Sequence, residues 1–160
     1  MLSKRSLLFV FLGALIVVVS SCWKGGADKA AELAKGFVVV NILDKELFDD
    51  CHIKGSVSLP FDKINEAEKL IDKNAEVVTY CSNYMCTASS EARKQLMSMG
   101  YKKVYVYEGG TAEWYQKGYP VVGPCAQGYL KIKLPKPEVE QDYMISAEEL
   151  KKKLEENKKV

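Results

Sequence analysis

The chain has 160 residues, long enough for one domain with a hydrophobic core. Its 48% hydrophobic and 28% charged residues exclude a disordered chain and indicate a globular protein. Without residues 1–21, which contain two of the 23 basic residues, the basic and acidic side chains number 21 each. That balance gives no electrostatic reason to expect nucleic acid as a partner.

Residues 1–21 predict a secretory signal peptide. Lys4 and Arg5 precede an apolar run over 7–19, which is shorter than the roughly 20 residues that a membrane-spanning helix needs. The end of this segment, Val-Ser-Ser-Cys, resembles a bacterial lipobox. We therefore expect Cys22 to carry a lipid anchor with acyl chains such as palmitate, on an exported, membrane-anchored protein of the cell envelope or periplasm. Ordinary cleavage and an uncleaved anchor are the alternatives, and residues 22–27 are a predicted tether.

The first half of the remaining chain alternates short helical and apolar segments. Residues 28–35 predict a helix that Gly36 ends, and Phe37 to Val40 is an apolar run typical of a buried strand. The following predictions are a helical turn over 43–51, a loop with a short strand over 52–60, a helix over 62–72 with Asp62 as its cap, and a strand over 76–80.

The same alternation continues after Cys81. Thr87 is the predicted cap of a helix that Gly100 ends, and a strand over 104–107 is followed by Gly109, Gly110 and a helix that carries Trp114. Alternating strands and helices at this spacing predict an α/β domain over residues 28–124, with a small parallel β-sheet and helices on both faces.

Residues 125–160 form a predicted C-terminal extension. The alternation over 129–134 predicts an edge strand, and Ser146 with Glu149 has the spacing of a capping box at the start of a helix. Leu150 and Leu154 are the apolar stripe of that helix. The helix is either solvated or a docking element for a partner.

Cys81 follows the strand over 76–80 at the point where a new helix approaches. Backbone N–H groups at a helix N-terminus favour the thiolate, the reactive form of cysteine. We therefore expect an ionised sulfur that is reachable at the rim of the sheet, where ligands bind in such folds. The alternative is a buried and inert cysteine.

Four ordered segments between residue 37 and about residue 122 resemble the rhodanese-like domain family. The segments are His-Ile-Lys-Gly-Ser over 52–56, the strand that leads to Cys81, the stretch from Met99 to the Gly109-Gly110 turn, and Trp114 followed by Gly-Tyr-Pro-Val over 118–121. Residues 144–150 also resemble the opening helix of such a domain. Three explanations are open: this segment is a relic of a second domain, the protein is a truncated tandem, or the similarity is due to chance.

The resemblance implies a function and a set of site residues. By position, Cys81 is the catalytic residue, which carries sulfur as a persulfide and passes it from a small sulfane-sulfur donor to a thiol or another nucleophile. Converging backbone N–H groups of the following loop would hold the anionic sulfur. The loop residues concerned are Ser82, Asn83, Tyr84, Met85, Cys86 and Thr87. The predicted structural residues are Asn41, His52, Gly109, Gly110 and Trp114.

The loop after Cys81 departs from the family pattern. Many members have a Gly and an Arg in this loop, and the Arg helps to hold an anionic donor. Here the loop has neither, and no Arg occurs between Cys81 and Arg93, which places thiosulfate in doubt as the donor. Cys86 is a redox partner of Cys81, an inert side chain, or a metal ligand. A bridge between Cys51 and Cys125 is not decided by spacing.

The resemblance therefore implies a sulfurtransferase, for which we expect no cofactor and no metal. Two alternatives have the same fold: a non-catalytic binding module, and a thiol–disulfide redox protein that uses Cys81 and Cys86. Neither the oligomeric state nor the physiological donor and acceptor follow from the sequence.

Overall fold

The computed structural model describes residues 33–138 and 141–157. The predicted signal peptide, the tether and Cys22 lie outside these ranges. Within them, no helix has the length and apolar character that crossing a membrane would take. The strands are β1 (Phe37–Asn41), β2 (His52–Ile53), β3 (Val57–Ser58), β4 (Glu76–Tyr80), β5 (Lys103–Tyr107) and β6 (Val121–Val122). The helices are α1 (Lys45–Asp50), α2 (Ala88–Ser98), α3 (Gly110–Gln116) and α4 (Ala147–Asn157), and Phe61–Lys69 and Gly128–Lys131 are 3₁₀ helices.

The central sheet has four parallel strands in the order β3-β1-β4-β5. Strands β1 and β4 carry runs of valine, over 38–40 and 77–78, because both faces of a parallel sheet are covered. The predicted α/β architecture is confirmed. β4 lies at the middle of the sheet, so the residue after it emerges between two neighbouring strands.

One face of the sheet is covered by α2 and the longer 3₁₀ helix. Ala92 and Leu96 of α2 are fully buried there, as the helical spacing predicts. The segment after Pro60 is tighter than the predicted α-helix and begins one residue before Asp62. Thr87 precedes α2 without a side-chain capping bond.

The opposite face is covered by α3 and by α4 from the C-terminal extension. Leu150 is fully buried, Leu154 is 8% exposed, and both lie in one core cluster with Trp114. The capping box at Ser146 and Glu149 is present. The prediction of a solvated helix is wrong, because the two leucines complete the second hydrophobic layer of the same domain.

The C-terminal extension also covers the edge of the sheet at β5. The Val106 amide donates to the Tyr143 carbonyl at 2.9 Å, and the Ile145 amide donates to the Val106 carbonyl at 3.0 Å. The predicted edge strand over 129–134 is wrong. That segment contains the shorter 3₁₀ helix, which buries Leu130 completely and leaves Ile132 54% exposed.

A separate two-stranded ribbon, β2 with β6, lies beside a disulfide between Cys51 and Cys125. Asp50 holds the same region: its carbonyl accepts the Cys125 amide at 2.8 Å, and its carboxylate accepts the amides of Ala126 and Gln127. The disulfide thus fastens the beginning of the C-terminal extension to the end of α1.

The predicted helix over 28–35 is not present in its described part. Ala34 forms a parallel bridge with Ile71, and the amides of Ala34 and Asp72 exchange hydrogen bonds with the carbonyls of Leu70 and Ala34 at 2.8 and 2.9 Å. Those bonds require extended backbone, so the segment lies beside the core instead of coiling.

Candidate functional site

Cys81 directly follows β4 at the carboxyl edge of the central sheet. The strand beneath it is fixed by Thr79, whose hydroxyl lies 3.0 Å from the Ser89 carbonyl and 3.2 Å from the Tyr105 carbonyl. Cys81 is 1% exposed and belongs to the apolar cluster under α2. The sheet and two helices therefore determine where this sulfur lies.

The N-terminus of α3 holds the backbone around Cys81. The Thr111 amide and hydroxyl donate to the Cys81 carbonyl at 3.0 and 3.3 Å, and the Ala112 amide donates to the Ser82 carbonyl at 2.9 Å. Gly110 makes this approach possible. A Cβ atom there would lie 2.6 Å from the Cys81 carbonyl oxygen, and its φ of +61° is left-handed.

Asn83 shapes the loop that follows. Its side-chain Oδ1 accepts the Met85 amide at 3.0 Å, and its carbonyl accepts the Cys86 amide at 3.0 Å. This turn returns the chain toward β4 and joins Cys86 to Cys81 in a disulfide, with 6.4 Å between the two Cα atoms. Cys86 is partly exposed, and Met85 at the tip is 76% exposed.

The expected free thiolate is not what this structure contains. The Cys81 sulfur is bonded to Cys86 and shielded from solvent, and its polar neighbour is the Ser82 hydroxyl at 3.8 Å. Two of the six loop amides that were expected to converge on the sulfur, those of Met85 and Cys86, donate to Asn83 instead. The Asn83 side chain accepts the Met85 amide, as asparagine side chains do in turns, and the Asn83 carbonyl accepts the Cys86 amide.

A cleft lies beside the loop and is bordered by Tyr84. Glu113 on α3 accepts a 2.8 Å hydrogen bond from the Tyr107 hydroxyl. Burial and the adjacent Glu113 carboxylate raise the pKa values of Tyr107 and Tyr84 well above the usual range. Sequence reasoning missed Glu113. The one hint in the sequence was Gly109, four residues before Glu113. The Glu113 side chain fills the space that a Cβ at Gly109 would need.

Comparisons with known proteins agree with this geometry. A family model described as Rhodanese-like domain matches residues 22–117. The chain belongs to the rhodanese-like domain family.

This rhodanese-like domain is similar to curated proteins and to solved structures. A thiosulfate sulfurtransferase GlpE from Coxiella burnetii is 30% identical over 88 residues, which are 54% of this chain and 80% of that protein. The protein of that name from Pseudomonas fluorescens is 34% identical over 94 residues, 59% of this chain and 82% of that one. A crystal structure of a Bacillus halodurans protein is similar with a TM-score of 0.53 and 31% identity, covering 56% of this chain and 66% of that one.

The predicted structural residues lie around the sheet of this rhodanese-like domain. Asn41 ends β1, is fully buried, and accepts the Leu43 amide at 2.8 Å. His52 stacks on Phe48 at 3.8 Å between ring centroids, and its Nδ1 lies 2.7 Å from the Phe48 carbonyl. The histidine is therefore held by Phe48 of α1.

Trp114 is buried in the layer under α4. Its Nε1 donates to the Pro120 carbonyl at 2.9 Å, and its ring meets Tyr119 edge-to-face with 4.9 Å between centroids. No cluster of His, Cys, Asp and Glu side chains suited to a metal ion occurs among residues 33–138 and 141–157.

Proposed function

We propose that this rhodanese-like protein is a sulfurtransferase that carries sulfane sulfur as a persulfide on Cys81. The observation that carries the proposal is the position of Cys81 in a family of this kind: it directly follows the inner strand β4, and α3 holds its carbonyl. Reduction of the bond to Cys86 frees the thiolate. The thiolate then attacks the outer sulfur of a donor, and the rest of the donor leaves as a thiolate.

The proposed donor is an organic persulfide and not thiosulfate, in which two negative charges lie next to the transferred sulfur. No Lys or Arg lies between Cys81 and Arg93. Arg93 is turned away, since its Nε donates to the Val104 carbonyl at 2.9 Å and its guanidinium lies 4.0 Å from the Tyr143 ring centroid. The cleft beside the loop is lined by carboxylates, with Lys136 as the basic side chain among its lining residues. The carboxylates are Glu108, Glu113, Glu148 and Glu149.

The test uses a variant in which Cys81 cannot form its disulfide with residue 86. The reduced Cys86→Ser protein is exposed to glutathione persulfide, desalted and mapped by mass spectrometry. We expect a gain of one sulfur atom on Cys81, which glutathione then removes. The Cys81→Ser, Cys86→Ser double variant is the matched control. A Cys86→Ser protein that stays folded and gains no sulfur would overturn the proposed function.

A second candidate is a thiol–disulfide redox protein that exchanges electrons without carrying sulfur. The observation that favours it is the disulfide between Cys81 and Cys86. It differs from the first candidate in one measurable respect, because glutathione persulfide then leaves no sulfur on Cys81 in the Cys86→Ser variant.

We also propose that the protein is exported and anchored through a lipid on Cys22. The disulfides at Cys51–Cys125 and Cys81–Cys86 support this location, because disulfides persist in oxidising compartments. Metabolic labelling with palmitate tests it. Label that is lost in Cys22→Ala agrees with the proposal, and an unlabelled parent protein contradicts it.

A further inference from the structure

The bond between Cys81 and Cys86 identifies a second chemical step at the same site. We propose that Cys86 resolves the Cys81 persulfide, so that the protein reduces sulfane sulfur to hydrosulfide with electrons from an external dithiol. The inference rests on the proposed function, since it needs sulfur to reach Cys81 first. It adds a product, hydrosulfide, and a class of partner, a dithiol reductant.

The loop is built to bring Cys86 onto Cys81. The two hydrogen bonds to Asn83 close the turn, and the Cα–Cα distance of 6.4 Å lies within the ordinary range for a disulfide. On the other side, Thr111 and Ala112 hold the backbone of Cys81 and Ser82. Each cysteine is thus positioned by its own set of bonds, and neither depends on the disulfide alone.

The resolving step balances in atoms and electrons. The Cys86 thiolate attacks the Cys81 Sγ atom, the sulfur–sulfur bond of the persulfide breaks, and the outer sulfur leaves as hydrosulfide with one proton from solvent or from the Cys86 thiol. The outer sulfur gains two electrons, and the two cysteines lose two as they form the disulfide. The product is the bonded pair that the structure contains.

The internal thiol has an advantage over dissolved thiols. Cys86 is five residues from Cys81, so its effective concentration at the persulfide is that of a short tether, on the order of millimolar or more. Its side chain packs against the cluster that contains Cys81.

Unequal exposure then determines how the pair is regenerated. Cys86 is partly exposed and borders the protruding Met85, whereas Cys81 is buried. An external dithiol therefore attacks the Cys86 sulfur, and Cys81 leaves as the thiolate. The second thiol of the reductant releases Cys86 and becomes part of a disulfide in the reductant. Each cycle consumes one sulfane sulfur and one dithiol.

A single-turnover experiment on the full chain tests the inference. The protein is reduced, desalted and mixed with glutathione persulfide without further reductant. Hydrosulfide is measured with a sulfide electrode, and the cysteines are mapped after rapid alkylation. We expect the parent to release one hydrosulfide per chain above the Cys81→Ser background, with Cys81 and Cys86 joined. We expect Cys86→Ser to release none above the Cys81→Ser background while it holds sulfur on Cys81.

Each alternative result has a separate meaning. A parent protein that releases no more hydrosulfide than Cys86→Ser, with the persulfide stable on Cys81, overturns the resolving step and leaves the proposed function intact. Sulfur found on Cys86 overturns it too, because attack would then fall on the outer sulfur. Absence of sulfur from Cys81 in a folded Cys86→Ser protein overturns the proposed function itself. Cys86→Ala, with circular dichroism as the folding check, repeats the comparison without a hydroxyl.

Discussion

The backbone amide of Thr111 donates a 3.0 Å hydrogen bond to the carbonyl oxygen of Cys81, although 30 residues separate them. Together with the bond from Ala112 to Ser82, this contact uses helix N-terminal amides that are otherwise unpaired. α3 therefore stabilises the conformation of the Cys81 segment through its backbone.

Gly110→Ala is expected to disturb this contact and to lower the free energy of unfolding by about 2–4 kcal/mol, from a left-handed φ and a close approach to the Cys81 carbonyl. Gly118→Ala is the matched control, because its φ of +67° is similar and no atom lies within 4 Å of the added Cβ. The control is expected to cost about 1–2 kcal/mol. Urea unfolding measures both, and equal losses would contradict the steric part of the argument.

The sheet and its helices were predictable because their sequences agree at several levels. β4 buries Val77 and Val78, α2 places Ala92 and Leu96 on one face, and Gly100 ends the helix with a φ of +97°. The carboxyl edge of β4 then identifies Cys81 by topology alone.

The state of the site was not predictable, because it depends on contacts between residues that have no periodic pattern. Nothing in the spacing of Cys81 and Cys86 reveals that Asn83 closes the loop between them. The alternation over 129–134 suggested a strand, whereas the sheet edge is paired by Tyr143 and Ile145 through two hydrogen bonds, too few to leave a signal.

Tyr80 makes the stability of the domain dependent on alkaline pH. Its hydroxyl accepts the Ile53 amide at 3.1 Å and lies 2.8 Å from the Ser56 hydroxyl. Burial, only partly offset by those hydrogen bonds, raises the pKa of Tyr80 from 10.0 to about 12. The unfolded chain loses this proton near pH 10 and the folded chain retains it, so stability is intact below pH 10 and falls as the pH rises toward 12.

Tyr80→Phe is therefore expected to flatten the decline of stability above pH 10, by about 1.4 kcal/mol per pH unit for the one proton removed. At neutral pH the same change is expected to cost about 1–3 kcal/mol, because the buried Ile53 amide loses its acceptor. Urea unfolding at a series of pH values measures both effects. An unchanged decline above pH 10 would show that Tyr80 does not titrate as its burial implies.

Leu150 tests whether α4 is part of the core. Leu150→Ala is expected to lower the free energy of unfolding by about 2–5 kcal/mol, since the fully buried side chain leaves a cavity beside Trp114. Lys152→Ala, on the exposed side of α4, is the control and is expected to change stability by less than about 0.5 kcal/mol. Tryptophan fluorescence during unfolding measures both variants. A neutral Leu150→Ala would mean that α4 is dispensable.

The end of α4 lies beside the start of β1, so a short linker could join the two in a circularly permuted chain. The Asn157 side chain donates to the Phe37 carbonyl at 3.3 Å, and Lys153 contacts Glu76 at 2.8 Å. The segment over 144–150, which resembles the opening helix of a rhodanese-like domain, thus packs on the sheet of its own domain. Because α4 packs in the core of this domain, its apolar side is not available for docking a partner, and its position gives no support to the interpretation as a relic of a second domain.

A circular permutant that begins at Gln141, runs to Asn157, passes through a short glycine–serine linker into Ala34 and ends at Glu138 is expected to fold. Its free energy of unfolding should lie within about 2 kcal/mol of the parent truncated to the same residues, since every described contact is kept and closing a short linker costs little. The bond between Cys51 and Cys125 should form in both chains, as peptide mapping will show. Introducing Leu150→Ala into the permutant should cost as much as it does in the parent order. A permutant that is unfolded, or one indifferent to Leu150→Ala, would show that α4 needs its present connection to reach the sheet.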